Sequence, residues 1–187
     1  MSILEIHVLG SPILREVTTP VAQVTDDLRR LIDDMFETMY AANGVGIAAP
    51  QVGRSERITV IDVGQGPIAL VNPEIVSSGG GTQRGEEGCL SIPEIYGDVE
   101  RAAEVTVRAL NAQGEPFEVT GTELLARCLQ HEIDHLHGRL FIDYLSLLKR
   151  RSAMSKWEKL KKDFPGNRRT VSAQEVAEHA TKPDEEL

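Results

Sequence analysis

Residues 131 to 135 read His-Glu-Ile-Asp-His, and their spacing carries chemistry. Side chains four residues apart on a helix stand one above the other on one face. His131 and His135 can therefore hold one metal ion between them. Glu132 is turned about 100° from His131, which frees it to act as a base toward water beside the metal rather than as a ligand. A base next to an electrophile is the arrangement of metal-assisted hydrolysis. The competing reading is a surface helix with two solvated histidines.

A catalytic metal usually takes three protein ligands and keeps one position for water. The chain has two cysteines to offer, Cys89 and Cys128. A metal between the histidines lies near the level of residue 133, roughly 7.5 Å along the axis from Cys128 at about 1.5 Å per residue, too far for its short side chain. Cys89 stands in Glu86-Glu87-Gly88-Cys89-Leu90-Ser91, a glycine-flanked segment read as a loop that could bend a thiolate toward the helix. Cys128 then reads as a small apolar wall beside the site. The bland alternative, a free buried thiol, stays open for Cys89 as well.

These groups need elements to position them. Leu28, Leu31, Ile32, Met35, Phe36 and Met39 recur at three-and-four spacing and predict a helix from Thr25 to about Ala41 with a buried stripe. Asn43-Gly44-Val45-Gly46 breaks it and makes a loop whose bare backbone can approach a ligand closely. Ile58 to Val63 and Ile68 to Val71 read as short strands, and Val105 to Leu110 with Phe117 to Val119 as a hairpin around Asn111-Ala112-Gln113-Gly114. Thr120 and Glu123 match a capping box that would open the metal helix, and Gly138 would close it. Strands ahead of a central helix, without regular alternation, argue α+β: short antiparallel strands around a metal-binding helix, with a C-terminal helix.

Three separated blocks carry a family resemblance. Gly44-Val45-Gly46-Ile47-Ala48-Ala49-Pro50-Gln51, Glu87-Gly88-Cys89-Leu90-Ser91 and Gln130-His131-Glu132-Ile133-Asp134-His135-Leu136 resemble, in order and approximate spacing, the signature motifs of peptide deformylases. The likeness runs from about residue 4 to residue 165. Ile47 stands where leucine is usual, a swap that conserves volume. The resemblance implies Cys89, His131 and His135 as metal ligands and Glu132 as the base. It implies oxyanion donors in the Gln51 side-chain amide and the backbone N–H of Leu90, with Gly46 keeping that corner open. The implied substrate is a nascent chain beginning with N-formylmethionine, and the products are formate and a free methionyl amino terminus. Ferrous iron is the implied metal in cells, with zinc or nickel as substitutes. Val45, Leu124 and Cys128 are candidates for the methionine pocket by their place near the motifs, with simple core packing as the alternative. The peptide backbone could pair as an added strand along Gly44 to Gly46.

The rest of the chain bounds this reading. With 187 residues, 41% apolar and 26% charged, it fits one globular domain, and two cysteines exclude a disulfide framework. No apolar run approaches the roughly 20 residues of a membrane span, and the start lacks a targeting composition, so the expected compartment is the cytoplasm. Net charge −9 disfavours a chain built mainly for nucleic acid. Between Asp143 and Arg169, however, nine basic residues face three acidic ones, with the bases concentrated over 149–162. That run is either a solvated helix face or a docking surface, which the resemblance would assign to the ribosome. We expect a catalytic domain over residues 1–165 and an acidic extension over 166–187, mobile or weakly helical, in a monomer.

Other functions remain to be weighed. A metalloprotease would share the histidine pair but normally recruits a carboxylate or third histidine, not a thiolate. A non-catalytic, metal-stabilised binding protein would need a fourth ligand, and His7, His137 and His179 fall outside any compact spacing. A degenerate relative that binds without turnover would lack motif residues that are all present here.

Overall fold

The structure is a computed structural model that describes residues 2–172 and 175. Strand β1, Ile6–His7, precedes helix α1, Asp26–Ala41. Thr25 caps α1 by accepting the Leu28 N–H at 3.2 Å, and Asp26 and Asp27 place negative charge at the positive end of the helix dipole. The stripe read from the sequence is buried at Leu28, Leu31, Ile32, Met35 and Met39 and packs with Ile47 and Val60 of the sheet.

Strands β2 (Gly46–Ala48), β3 (Ile58–Ile61), β4 (Ile68–Cys89), β5 (Ile92–Leu110) and β6 (Pro116–Thr122) form one antiparallel sheet in chain order. Helix α2, Glu123–Leu136, packs on this sheet through Leu125, Leu129 and Ile133 against Leu70, Val105 and Val107. Helix α3, Leu147–Leu160, places Ala153 and Trp157 against Ile92, Ile95 and Phe141. Strand β7, Arg168–Arg169, pairs antiparallel with β1. The architecture is α+β with a C-terminal helix, as the pattern predicts. No helix among the described residues is long and apolar enough to cross a membrane.

Two local expectations fail. The strand begun at Ile68 does not stop at Val71 but continues for 22 residues, and its partner β5 is 19 residues long. Its Ser77-Ser78-Gly79-Gly80-Gly81 stretch is exposed strand, interrupted by register shifts at Ile75/Ser77 and Gly79/Thr82. Nothing buries this stretch, so no apolar alternation marks it. Cross-strand pairing with β5 holds it instead. The Thr120/Glu123 capping box also does not form. Thr120 lies inside β6 with its hydroxyl 2.8 Å from that of Thr106, and β6 runs directly into α2, leaving Thr122 before the helix without a side-chain cap.

The acidic extension begins docked rather than free: β7 pairs with β1, and Val171 is buried in the core with Met39 and Ala42. Apart from Glu175, the extension beyond Ser172 lies outside the described residues.

Gly138 ends α2 as the sequence predicts. It sits at φ +70°, and the Arg139 N–H returns to the Asp134 carbonyl at 3.0 Å. A Cβ there would lie 2.5 Å from the Arg15 carbonyl oxygen, a backbone atom that cannot swing away. Gly138→Ala is expected to lose about 1–3 kcal/mol of stability in urea unfolding, because both φ and space oppose the side chain. A cost below about half a kcal/mol would count against this account.

Candidate active site

The sheet and α2 together assemble the motif residues. His131 and His135 project from one face of α2, with ring centroids 5.1 Å apart. Cys89 is not in a loop, contrary to the sequence reading. It closes β4 and pairs with Ile92 across the two-residue turn Leu90-Ser91. A strand end paired across a tight turn holds the sulfur more firmly than a loop would. Its Sγ lies 3.3 Å from His135 Nε2, and the donor atoms of Cys89, His131 and His135 all fall within 4.8 Å of one another.

The three donors fit a divalent metal. A tetrahedral site with bonds of about 2.1–2.3 Å spaces its ligands roughly 3.5 Å apart, near the separation found between Cys89 and His135. His131 presents Nε2 inward because its Nδ1 is bound to Glu87 Oε2 at 2.9 Å. Glu132 follows on α2, buried, with its Oε2 lacking any hydrogen-bond partner in the described structure. A buried carboxylate oxygen left open in this way is a place for a water or substrate proton. Burial raises the Glu132 carboxyl to about 7, with the neighbouring charge of Glu87 adding to the rise and His131 opposing it. A bound divalent cation would pull it back down.

Gly46 explains itself geometrically. A Cβ on it would lie 2.5 Å from Glu132 Oε1 and 2.9 Å from Cys128 Sγ. Gln51 is buried, accepts the Ala48 N–H at 2.8 Å through Oε1, and directs its amide nitrogen toward Cys89 Sγ at 3.6 Å and Ser91 Oγ at 3.2 Å. Leu90 sits in the turn beside Cys89 and reaches across to Gly44, where a Cβ would meet its Cδ1 at 2.8 Å. Gly44, Val45, Gly46, Gln51, Cys89, Leu90, Leu124, Cys128, His131 and Glu132 line one cleft of about 750 Å³, while His135 is buried behind it. Val45 and Leu124 are exposed there, 44% and 52%, so neither is an ordinary core residue. Cys128 is buried, its thiol pushed up by burial and by the charge of Glu132.

Four residues behind these were not singled out from the sequence. Glu87, 3% exposed at its side chain, accepts from Arg101 Nε at 2.8 Å, Arg101 Nη2 at 2.9 Å, Arg127 Nη1 at 2.9 Å and His131. Arg101 also reaches Asp134 at 2.6 Å and lies 4.5 Å from the centre of the Tyr144 ring. Arg127 further donates to the carbonyls of Val99 and Gln83 at 2.9 Å each. Glu87 and Asp134 stand inside motif blocks, and Asp134 is three residues from His131 on the helix, so both carried a signal. Arg101 and Arg127 carried none, since no local spacing distinguishes them from surface arginines.

Burial works to raise the Glu87 carboxyl, but Arg101 and His131 outweigh it and hold it at about 2, against an ordinary 4.5. Its stabilising contribution is thus complete above about 4.5 and fades as pH falls toward 2. Glu87→Gln should weaken metal binding by roughly 10–100-fold, as loss of an orienting partner to a ligating histidine typically does. It should also change the acid limb of the stability curve between those two pH values. Chelator competition and acid titration of the folded protein measure the two effects, and unchanged metal affinity would show that Glu87 does not orient His131.

The sequence profile of the family described as polypeptide deformylase matches residues 3–151. A peptide deformylase of Alkalilimnicola ehrlichii is 54% identical over 164 residues, covering 86% of this chain and 92% of the relative. One of Desulfitobacterium hafniense is 54% identical over 151 residues, covering 81% of this chain and 100% of the relative. Among solved structures, a peptide deformylase from Legionella pneumophila superposes with a TM-score of 0.82 at 52% identity, covering 86% of this chain and 96% of that one. A peptide deformylase from Ehrlichia chaffeensis in complex with actinonin gives 0.83 at 39% identity, covering 88% and 99%.

Proposed function

On the premise that the chain belongs to the polypeptide deformylase family, we propose a division of labour among its residues. The protein is a metal-dependent hydrolase that removes the N-formyl group from the formylmethionine of nascent polypeptides and releases formate.

Cys89, His131 and His135 would hold the metal. A divalent cation bound there supplies Lewis acidity to the formyl carbonyl and to water. Glu132 takes the proton of the attacking water and delivers it to the departing methionine nitrogen as the C–N bond breaks. Its buried, unpartnered Oε2 is the observation that carries this role. The Gln51 amide and the Leu90 N–H receive the negative charge that develops on the formyl oxygen. Gln51 is aimed for this by its bond to the Ala48 N–H, and Leu90 by the turn that also sets Cys89. Gly46, lying against Glu132, keeps that corner of the cleft free of a side chain for the formyl group.

The methionine side chain would enter between Val45, Leu124 and Cys128, whose apolar surface faces the cleft. Strand β2 is the edge of its sheet, so Gly44 to Gly46 can offer backbone groups to an incoming peptide strand. Ferrous iron is the proposed metal in cells, with zinc or nickel as substitutes, since a thiolate with two imidazoles accepts several divalent ions. Actinonin, found with the Ehrlichia chaffeensis relative, should occupy the same cleft here. We take the protein to be a cytoplasmic monomer, with catalysis in residues 1–165.

The carrying experiment compares formate release from a short N-formylmethionyl peptide by anaerobically iron-loaded protein and by Glu132→Ala. The variant should retain its metal and lose about 10²–10⁴-fold in turnover, the usual span for a general acid–base residue. Full turnover by the variant would remove Glu132 from the mechanism, and no formate from the loaded wild type would remove the deformylase roles altogether.

The basic helix α3 is proposed to dock on the ribosome. Leu147 and Leu148 at its start are 66% and 78% exposed. Lys149, Arg150 and Lys161 are paired with Asp98, Asp143 and Glu158, but Arg151, Lys159 and Lys162 have no ion-pair partner among the described residues. Replacing those three with glutamate should reduce co-sedimentation with ribosomes by roughly tenfold or more at low salt, while turnover of free peptide is maintained. Equal co-sedimentation of both proteins would make the run a solvated face.

A further inference from the structure

The family match ends at residue 151, yet the cleft that holds the chemistry is also lined by Phe164, Arg169 and Glu175. The chain returns there along a well-anchored strap. The Val8 N–H donates to the Asn167 carbonyl at 3.0 Å, Ile6 and His7 pair with Arg169 and Arg168, and Arg168 bonds Glu5 at 3.1 Å. Val171 is buried in the cluster that includes Ala42 and against which Leu90 packs. Ser172 and Glu175 then bond reciprocally, each side chain accepting from the other's backbone N–H, at 3.2 and 2.8 Å. These contacts anchor the strap beside the cleft, which Arg169 and Glu175 line together with Ala42, Asn43 and Leu90. Asn43 precedes Gly46 by three residues, up to about 10 Å along an extended chain, and Gly46 lies against Glu132.

Arg169 is held at this end by an ion pair with Glu175, and its side chain is 17% exposed. Its guanidinium donates one hydrogen bond, to a single Glu175 oxygen, and most of its five N–H groups have no partner among the described residues. The other arginine lining the cleft, Arg127, is committed to Glu87 and to backbone carbonyls. Glu86 and Glu94, on the β4–β5 wall, and Glu175 itself also line the cleft and would repel a carboxylate, so the attraction must come from the Arg169 donors that Glu175 does not take. A negatively charged substrate group therefore has one well-placed partner in this cleft.

We propose that Arg169 is a specificity-determining residue of the deformylation reaction, donating to a carboxylate side chain on the third or fourth residue of the formylated chain. This rests on the deformylase reading of the site. A peptide seated by its formyl group beside Glu132 and running along Gly46 toward Asn43 brings those residues to Arg169. Glu175 keeps the guanidinium oriented, so binding a second carboxylate does not require the side chain to be ordered afresh.

The test compares kcat/KM for formyl-Met-Ala-Asp-Asp, formyl-Met-Ala-Ala-Ala and formyl-Met-Ala-Lys-Lys, with formyl-Met-Ala, too short to reach the strap, as reference. The wild type should favour the aspartate peptide over the lysine peptide by roughly fivefold to tenfold, the scale of a charge-assisted hydrogen bond in a partly exposed site. Arg169→Gln should bring that ratio close to one. The exchange variant Arg169→Glu/Glu175→Arg keeps an ion pair on the strap while moving its positive charge, and should also lose the preference, with thermal melting reporting that it is folded. A wild-type ratio near one, an unchanged ratio in Arg169→Gln, or an equal fall for all three peptides would overturn the proposal. Absence of formate even from formyl-Met-Ala would instead overturn the reading on which it rests.

Discussion

Glu87 is the buried charge around which this structure is arranged. A carboxylate removed from water costs several kcal/mol unless its partners are close and well directed. Here the partners come from both flanking elements: Arg101 from β5, and Arg127 and His131 from α2. Satisfying one charge thus ties the long hairpin to the helix that carries the histidines. Because Cys89 lies two residues beyond Glu87 on the same strand, the tie also sets where the thiolate meets His135. Arg101 extends the arrangement to Asp134, so the faces of α2 on either side of the histidines are held from behind.

The site in front is built on the opposite principle. Both oxygens of Glu87 are used, whereas two buried atoms nearer the cleft chemistry, Glu132 Oε2 and His135 Nδ1, have no hydrogen-bond partner among the described residues. Such an atom is costly to bury and chemically useful for the same reason, since a proton or a water is what would satisfy it. Gly46 adds the steric half of the arrangement, because any larger residue there would press on the Glu132 carboxylate or the Cys128 sulfur.

The cleft is completed by a part of the chain with a different character. The sheet edge at β2 and the turn at Leu90 supply part of its wall, and Phe164, Arg169 and Glu175, beyond residue 151 where the family match ends, supply another. The motif residues and a charged rim from the far end of the described chain thus share one cleft.

The sequence alone determined what depends on local geometry and residue type. The four-residue spacing of His131 and His135, the reach that removes Cys128 as a ligand, the α1 stripe and the glycine stop at Gly138 all follow from helix dimensions and backbone sterics. The motif blocks added the family and its reaction. Only the tertiary structure decided what depends on distant partners. The β4 stretch through Ser77 to Gly81 is strand because β5 lies beside it, with no burial to imprint a pattern on it. Cys89 is stiff because Ile92 faces it, and Thr120 serves a strand rather than a helix because Thr106 does. Arg101, Arg127 and Arg169 look alike in sequence. They differ because two are drawn inward by Glu87 and the third is placed on the cleft rim by the pairing of β7 with β1, and long-range contacts of that kind leave no periodic trace in the chain.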